Sequence, residues 1–210
     1  MRVLFVLAVL SSSLSLAAPR WSLDASHSEL VVKVWKTGAA AGLAHDHAIR
    51  AGRVSGTASL DEAGSPESLA LDLEVEVAAL VADEPEVRKR HGVEGGPVPD
   101  GDRQKVREHM LGGEQLEATK FPVIKFVSSK LTREASGALR CAGTLTLHGV
   151  SRELQFTVTN VKASAKSFEG EATVKLKTSD FGVKPYSTAL GLIQNRDEVE
   201  LIVHLVLTQG

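Results

Sequence analysis

The sequence holds a single cysteine, Cys141, in 210 residues. No disulfide can form within the chain, so stability must come from packing. Aromatic side chains make up only 4%. Stacking platforms for bases or sugars would have to be built from very few rings, and aliphatic burial must carry the core. Neither sign of charge dominates: 24 basic and 26 acidic residues leave a formal net charge of −2, spread along the chain. That balance offers no overall electrostatic footprint for nucleic acid or an acidic membrane surface, and disfavours both as partners. A long apolar run is missing too. Val3–Leu10 falls well short of the roughly 20 residues a spanning helix needs, and nothing like it recurs, so no stable membrane anchor is expected.

The short apolar run has a different reading. It follows Met1-Arg2 and precedes Ser11–Ala18, where Ser15 and Ala17 are the small residues of a cleavage site. This is the pattern of a secretory signal peptide over residues 1–17, with a mature domain over 18–210. No cysteine stands at the cleavage site, which argues against a lipid anchor. The expected location is periplasmic or secreted. The remaining length fits one domain with a sizeable core.

From Glu29 onward, apolar and polar residues alternate in segment after segment, with turn residues between them, as half-buried strands require. Leu69, Leu71, Leu73, Val75 and Val77 share one face, while Asp72, Glu74 and Glu76 take the other. Near the C-terminus, Val199, Leu201, Val203, Leu205 and Leu207 oppose Glu198, Glu200 and His204. The pattern predicts strands near 29–37, 43–60 (two strands around a bend), 68–80, 121–132, 137–149, 152–162, 166–179 and 197–208. Gly56, Gly143 and Gly170 fall within or beside strands, where they permit bulges that let a sheet curl. A barrel and a sandwich share this period, and alternation alone does not separate them. The charges on the faces opposite the aliphatic ones argue against lipid outside the sheet.

Alternation stops between Asp83 and Lys120. A Gly/Pro-rich stretch, His91–Gly101, leads into a helix-compatible Asp102–Leu111 that Gly112-Gly113 would end. A connection this long is either a lid across one end of the sheet or a mobile crossover.

Four stretches lift the reading above an exported β domain. They are Asp24-Ala25-Ser26-His27-Ser28, Lys120–Ser129 (KFPVIKFVSS), Gly143–Ser151 (GTLTLHGVS) and Ser179-Asp180-Phe181-Gly182-Val183. In this order and spacing the chain resembles the YceI-like family of bacterial periplasmic polyisoprenoid-binding proteins. The resemblance implies an all-β fold, a lipocalin-like antiparallel barrel of about eight strands with a short helix in a long crossover loop. It also implies an apolar lipid partner, a polyisoprenoid or another long chain, with no required cofactor and no catalysis. Barrels of this size either fill their interior or hold one small ligand.

If the lumen holds a ligand, alternation nominates its wall: Val32 and Val34, Leu71 and Leu73, Ile124 and Phe126, and Leu145 and Leu147. The later strands add Phe156 and Val158, Val174 and Leu176, and Leu201 and Val203. The blander reading of each is an inward aliphatic side chain packed on its neighbours.

The polar residues carry weaker signals. Asp24, His27 and Ser28 have the residue types of a hydrolase triad but no nucleophile elbow, and a hydrogen-bonding role at a strand start fits them better. His148 reads as a turn histidine and Cys141 as a small buried hydrophobe. His45-Asp46-His47 departs from the family pattern. In a strand, His45 and His47 would share one face about 7 Å apart and could converge on a transition metal. A third ligand would have to come from His27, His148 or His204, and a metal- or haem-associated protein is therefore the alternative function. The competing reading is a solvated polar turn.

Overall fold

The computed structural model describes residues 21–93 and 95–209; the expected signal peptide lies outside them. The strands run β1 Trp21–Leu23, β2 Glu29–Thr37, β3 His47–Ala51, β4 Val54–Ser59, β5 Ala70–Glu76 and β6 Leu80–Ala82. Two helices follow, α1 Pro85–Arg90 and α2 Asp100–Leu111. Then come β7 Val123–Arg133, β8 Leu139–Leu147, β9 Val150–Ala163, β10 Ser167–Lys177, the short β11 Ser187–Thr188 and the long β12 Ile193–Gln209.

These strands make an eight-staved, closed antiparallel barrel. Three staves are interrupted: β1 and β2 by the turn at 24–28, β3 and β4 by a bend at Gly52-Arg53, β5 and β6 by the single turn Val77–Ala79. Each stave pairs with the next in the chain, and β12 closes the ring. Its start pairs with β2 and its end with β1, Trp21 lying opposite Gln209. On its other side Trp21 pairs with Ala58 of β4. A ring without an edge decides for a barrel over a sandwich.

The expected strands are present to within a few residues, including the bend inside 43–60. Three short pieces, β1, α1 and β11, lie outside the expected elements. β1 is three residues long, too short to show a period. α1 begins with Pro85 at its first turn, where the missing N–H costs nothing. It also qualifies the expectation of a wet exterior. Val31 and Ala48 point outward from β2 and β3, yet both are fully buried, because Val87 of α1 and Val93 lie over them. Arg90 and His91 fasten the helix end to Glu29 at 2.8 and 3.0 Å.

Elsewhere the outer face carries cross-strand ion pairs, such as Lys125 with Asp72 and Glu74, and Lys33 with Glu200. Inside, one end of the barrel is plugged by Trp21, Leu139, Phe168 and Leu207, all nearly inaccessible. The curl is helped by bulges in β7 between Ser128 and Lys130, and in β9 between Thr159 and Lys162, opposite Glu169–Glu171 of β10. Gly143 sits beside the first of these bulges. A Cβ there would lie 2.5 Å from both the Phe126 ring and the Val127 carbonyl oxygen.

Gly143→Val therefore forces two strands apart at a curved point. We expect it to cost about 1–3 kcal/mol, read as a lower urea midpoint with an unchanged slope; a midpoint equal to wild type would contradict the close approach.

Candidate functional site

Above the plug the staves enclose a cavity of about 550 Å³. Its size falls within the range of small-ligand sites, roughly 300–1,000 Å³. Every wall position nominated from alternation lines it: Val32, Val34, Leu71, Leu73, Ile124, Phe126 and Leu145 among them, with Leu147, Phe156, Val158, Val174, Leu176, Leu201 and Val203. Cys141 lines it too, buried, and burial pushes its thiol up to about 11, so it is a protonated small hydrophobe at neutral pH.

Polar residues collect at the other end. α2 lies across it, with Val106, Met110 and Leu111 packed on Ile49, Val75, Val77 and Leu80. The helix turns Asp102, Lys105, Val106, His109 and Met110 toward the cavity, positions three and four apart on one face. Facing them are Lys184, Tyr186, Asn195 and Arg196, with the rings of His109 and Tyr186 5.4 Å apart. Gln115 donates to the Lys184 carbonyl at 3.0 Å and ties the end of the crossover to the 183–196 segment. The crossover is thus a cover over the cavity mouth. The sequence places the Asp102–Leu111 helix in a candidate lid but gives no sign of Lys184, Tyr186, Asn195 or Arg196, which come from a distant segment with no shared period.

His45-Asp46-His47 does not have the expected geometry. β3 begins only at His47, so the two histidines do not alternate along a strand. The His47 Nδ1–H donates to Asp83 at 2.6 Å, and the ring lines the cavity. Asp46 accepts from the Lys36 backbone N–H at 2.8 Å, and its carbonyl accepts from Arg88. Asp83 is wholly buried, at positive φ, and also accepts from Ala48 N–H at 2.9 Å and Arg88 at 2.8 Å. The motif is a knot that joins β2, β3 and α1. Among the described residues no group of three or more His, Cys, Asp or Glu side chains is placed to hold a metal. The third-ligand candidates face carboxylates elsewhere: His27 with Asp24, His148 with Glu117 and His204 with Glu169.

The remaining motifs are also structural. Asp24 accepts from Ser26 and His27, which hold its carboxyl down at about 2, in an exposed turn. Ser28 spans the gap between β1 and β2 by accepting from Val206 N–H at 2.9 Å. His148, at φ 52°, donates through its Nε2–H to the Glu117 carboxylate at 3.0 Å and lies on Phe121, ring centroids 4.4 Å apart. Gly182 comes up beside the same histidine, following the buried Phe181. Three of the four diagnostic stretches thus meet around His148.

Fold and site together define a lipocalin-like barrel with an apolar lumen and a polar, helix-covered mouth. The chain belongs to the YceI-like domain family, which it matches over residues 21–207. Among its relatives are a UPF0312 protein of Vibrio vulnificus, 27% identical over 95 residues, and one of Pseudomonas putida, 32% identical over 82 residues. These matches cover 43% and 37% of this chain and 50% and 43% of the relatives, so the chain spans about half the length of the curated relatives it matches. Similar solved folds include BcnA of Burkholderia cenocepacia, with TM-score 0.62 and 18% identity over 88% of this chain and 98% of that one. A polyisoprenoid binding domain from Saccharophagus degradans gives TM-score 0.56 and 15% identity over 91% and 99%.

The buried Asp83 generates a pH dependence. Burial raises its pKa, but hydrogen bonds from His47, Ala48 N–H and Arg88 outweigh that and hold it below the ordinary carboxylate value. A carboxyl depressed in the folded state contributes stability at neutral pH that is lost as pH falls below about 4. Asp83→Asn removes the buried carboxylate that His47, Ala48 N–H and Arg88 share. We expect a loss of about 3–5 kcal/mol at pH 7 and a flatter acid limb, checked by urea titration across pH; wild-type stability in the variant would contradict the knot.

Proposed function

We propose that this protein is a binding protein that holds the hydrocarbon chain of an isoprenoid or similar long-chain lipid in the barrel lumen, without catalytic turnover, in the periplasm or outside the cell. The observation that carries the proposal is the cavity itself: about 550 Å³ walled by aliphatic side chains from every stave of the ring. A filled core would have used the same alternation and left no such space. Water in an apolar cavity of this kind lacks partners, whereas each CH₂ moved into it from water gains about 0.8 kcal/mol before ordering costs. Several prenyl units would suffice for tight binding. In this reading the nominated wall residues, from Val32 to Val203, contact the chain, and the polar mouth faces its head. The relative from Saccharophagus degradans, described as a polyisoprenoid binding domain, supports the ligand class.

Purified without detergent, the protein should carry an apolar adduct in native mass spectrometry. After delipidation it should bind geranylgeraniol one-to-one with a negative heat-capacity change. A homogeneously empty protein that binds no prenol would overturn the proposal.

A further inference from the structure

Two loops at the cavity mouth expose leucines that the barrel does not use. Leu190 is wholly exposed, Leu43 is 83% exposed and Leu192 50%. The loops stand side by side: Ala40 N–H donates to the Leu192 carbonyl at 2.9 Å. Gly38, at φ 101°, lies so close to that carbonyl that a Cβ would come within 2.5 Å of its oxygen. Ala189 and Leu190 are consecutive non-glycine residues at positive φ, 49° and 54°. A left-handed backbone at a leucine costs free energy, and here it is spent on holding an apolar side chain out in solvent.

The composition of the two loops is as one-sided as their exposure. Neither Lys36–His45 nor Phe181–Arg196 contains an acidic residue, in a chain with 26 of them. Their only fully charged side chains are the cations Lys36, Lys184 and Arg196; the rest are small or apolar apart from His45, Tyr186, Gln194 and Asn195. Lys36 donates to the Ala44 carbonyl at 2.8 Å. Lys184 and Arg196 line the mouth, are exposed, and form no side-chain ion pair among the described residues. The overall charge of −2 hides this local excess of positive charge.

Exposed leucines flanked by unpaired cations are the chemistry of a surface that enters the interface of an anionic bilayer. We infer that the loops Lys36–His45 and Phe181–Arg196 dock the cavity mouth onto an anionic lipid bilayer. Leu43, Leu190 and Leu192 enter the head-group boundary, and Lys184 and Arg196 face the lipid phosphates. Docked in this way, the lumen opens onto the bilayer and a lipid passes between them without crossing water. The inference rests on the lipid-carrier reading for its purpose but not for its geometry.

The test is co-sedimentation of the full chain, exported from a bacterial host and purified without detergent, with two kinds of vesicle. One is phosphatidylcholine with phosphatidylglycerol, the other phosphatidylcholine alone. Wild type should partition onto the anionic vesicles more than onto the neutral ones. Leu190→Ser with Leu192→Ser should weaken partitioning roughly tenfold or more. Lys184→Gln with Arg196→Gln should remove the difference between the two vesicle types. Wild type remaining in the supernatant with both vesicles, or the serine variant partitioning like wild type, would sink the inference. So would wild-type dimers that the serine substitutions dissociate in the absence of vesicle binding, because the leucines would then belong to a second copy. Geranylgeraniol binding measured in solution separates the two readings: its absence beside intact vesicle binding overturns the carrier and leaves the docking surface.

Discussion

The pairing of Trp21–Leu23 with β12 on one side and β4 on the other closes the sheet into a ring, and the interior follows from that closure. Once no edge is left, every second residue of every stave must face a common lumen. The aliphatic residues that a sandwich would press against a facing sheet instead line a wall. At one end Phe168, Leu139, Leu207 and Trp21 are large enough to meet across the axis. Toward the other end they are not, and the cavity is the space they leave.

The crossover between β6 and β7 completes the arrangement. It leaves the ring at Asp83, whose carboxylate fixes His47, Ala48 and Arg88, and so starts α1 in one place on the outer face of β2 and β3. α2 then spans the mouth and returns through Gln115 to the segment carrying Lys184 and Tyr186. A buried carboxylate between a histidine and an arginine is expensive when either partner is lost. Its position at the root of the cover makes it a pin for the part of the chain with no sheet to hold it. Polar mouth and apolar depth are thus separate consequences of two elements, the cover and the ring.

Legibility in the sequence divides along the same line. The period of two is local, so strands, their inward faces and the lumen wall could be read residue by residue, Leu71 and Leu73 as readily as Leu201 and Val203. Closure could not be read, because it depends on a three-residue strand with no visible period. The fate of His45 and His47 was hidden for a related reason. Alternation applies only inside a strand, and β3 starts at His47, whose partner Asp83 is distant in sequence and meets it only through the fold. The family stretches were legible as a signature, yet their physical meaning emerges from three of them meeting at His148, a turn residue held by Glu117 and Phe121. Of the mouth, α2 is legible as a helix in a long crossover, whereas the 183–196 segment has no sequence signal beyond its own lack of acidic residues.

The central claim is that a lipid chain lies inside the ring, against the aliphatic wall. The most direct measurement is isotope-edited NMR of methyl-labelled protein with geranylgeraniol, observing contacts between ligand and protein methyl groups. The account predicts contacts to Leu73, Val174 and Leu201, which line the cavity from separate staves. Contacts confined to the exposed Val123, Val127 and Leu190, or none at all, would contradict it.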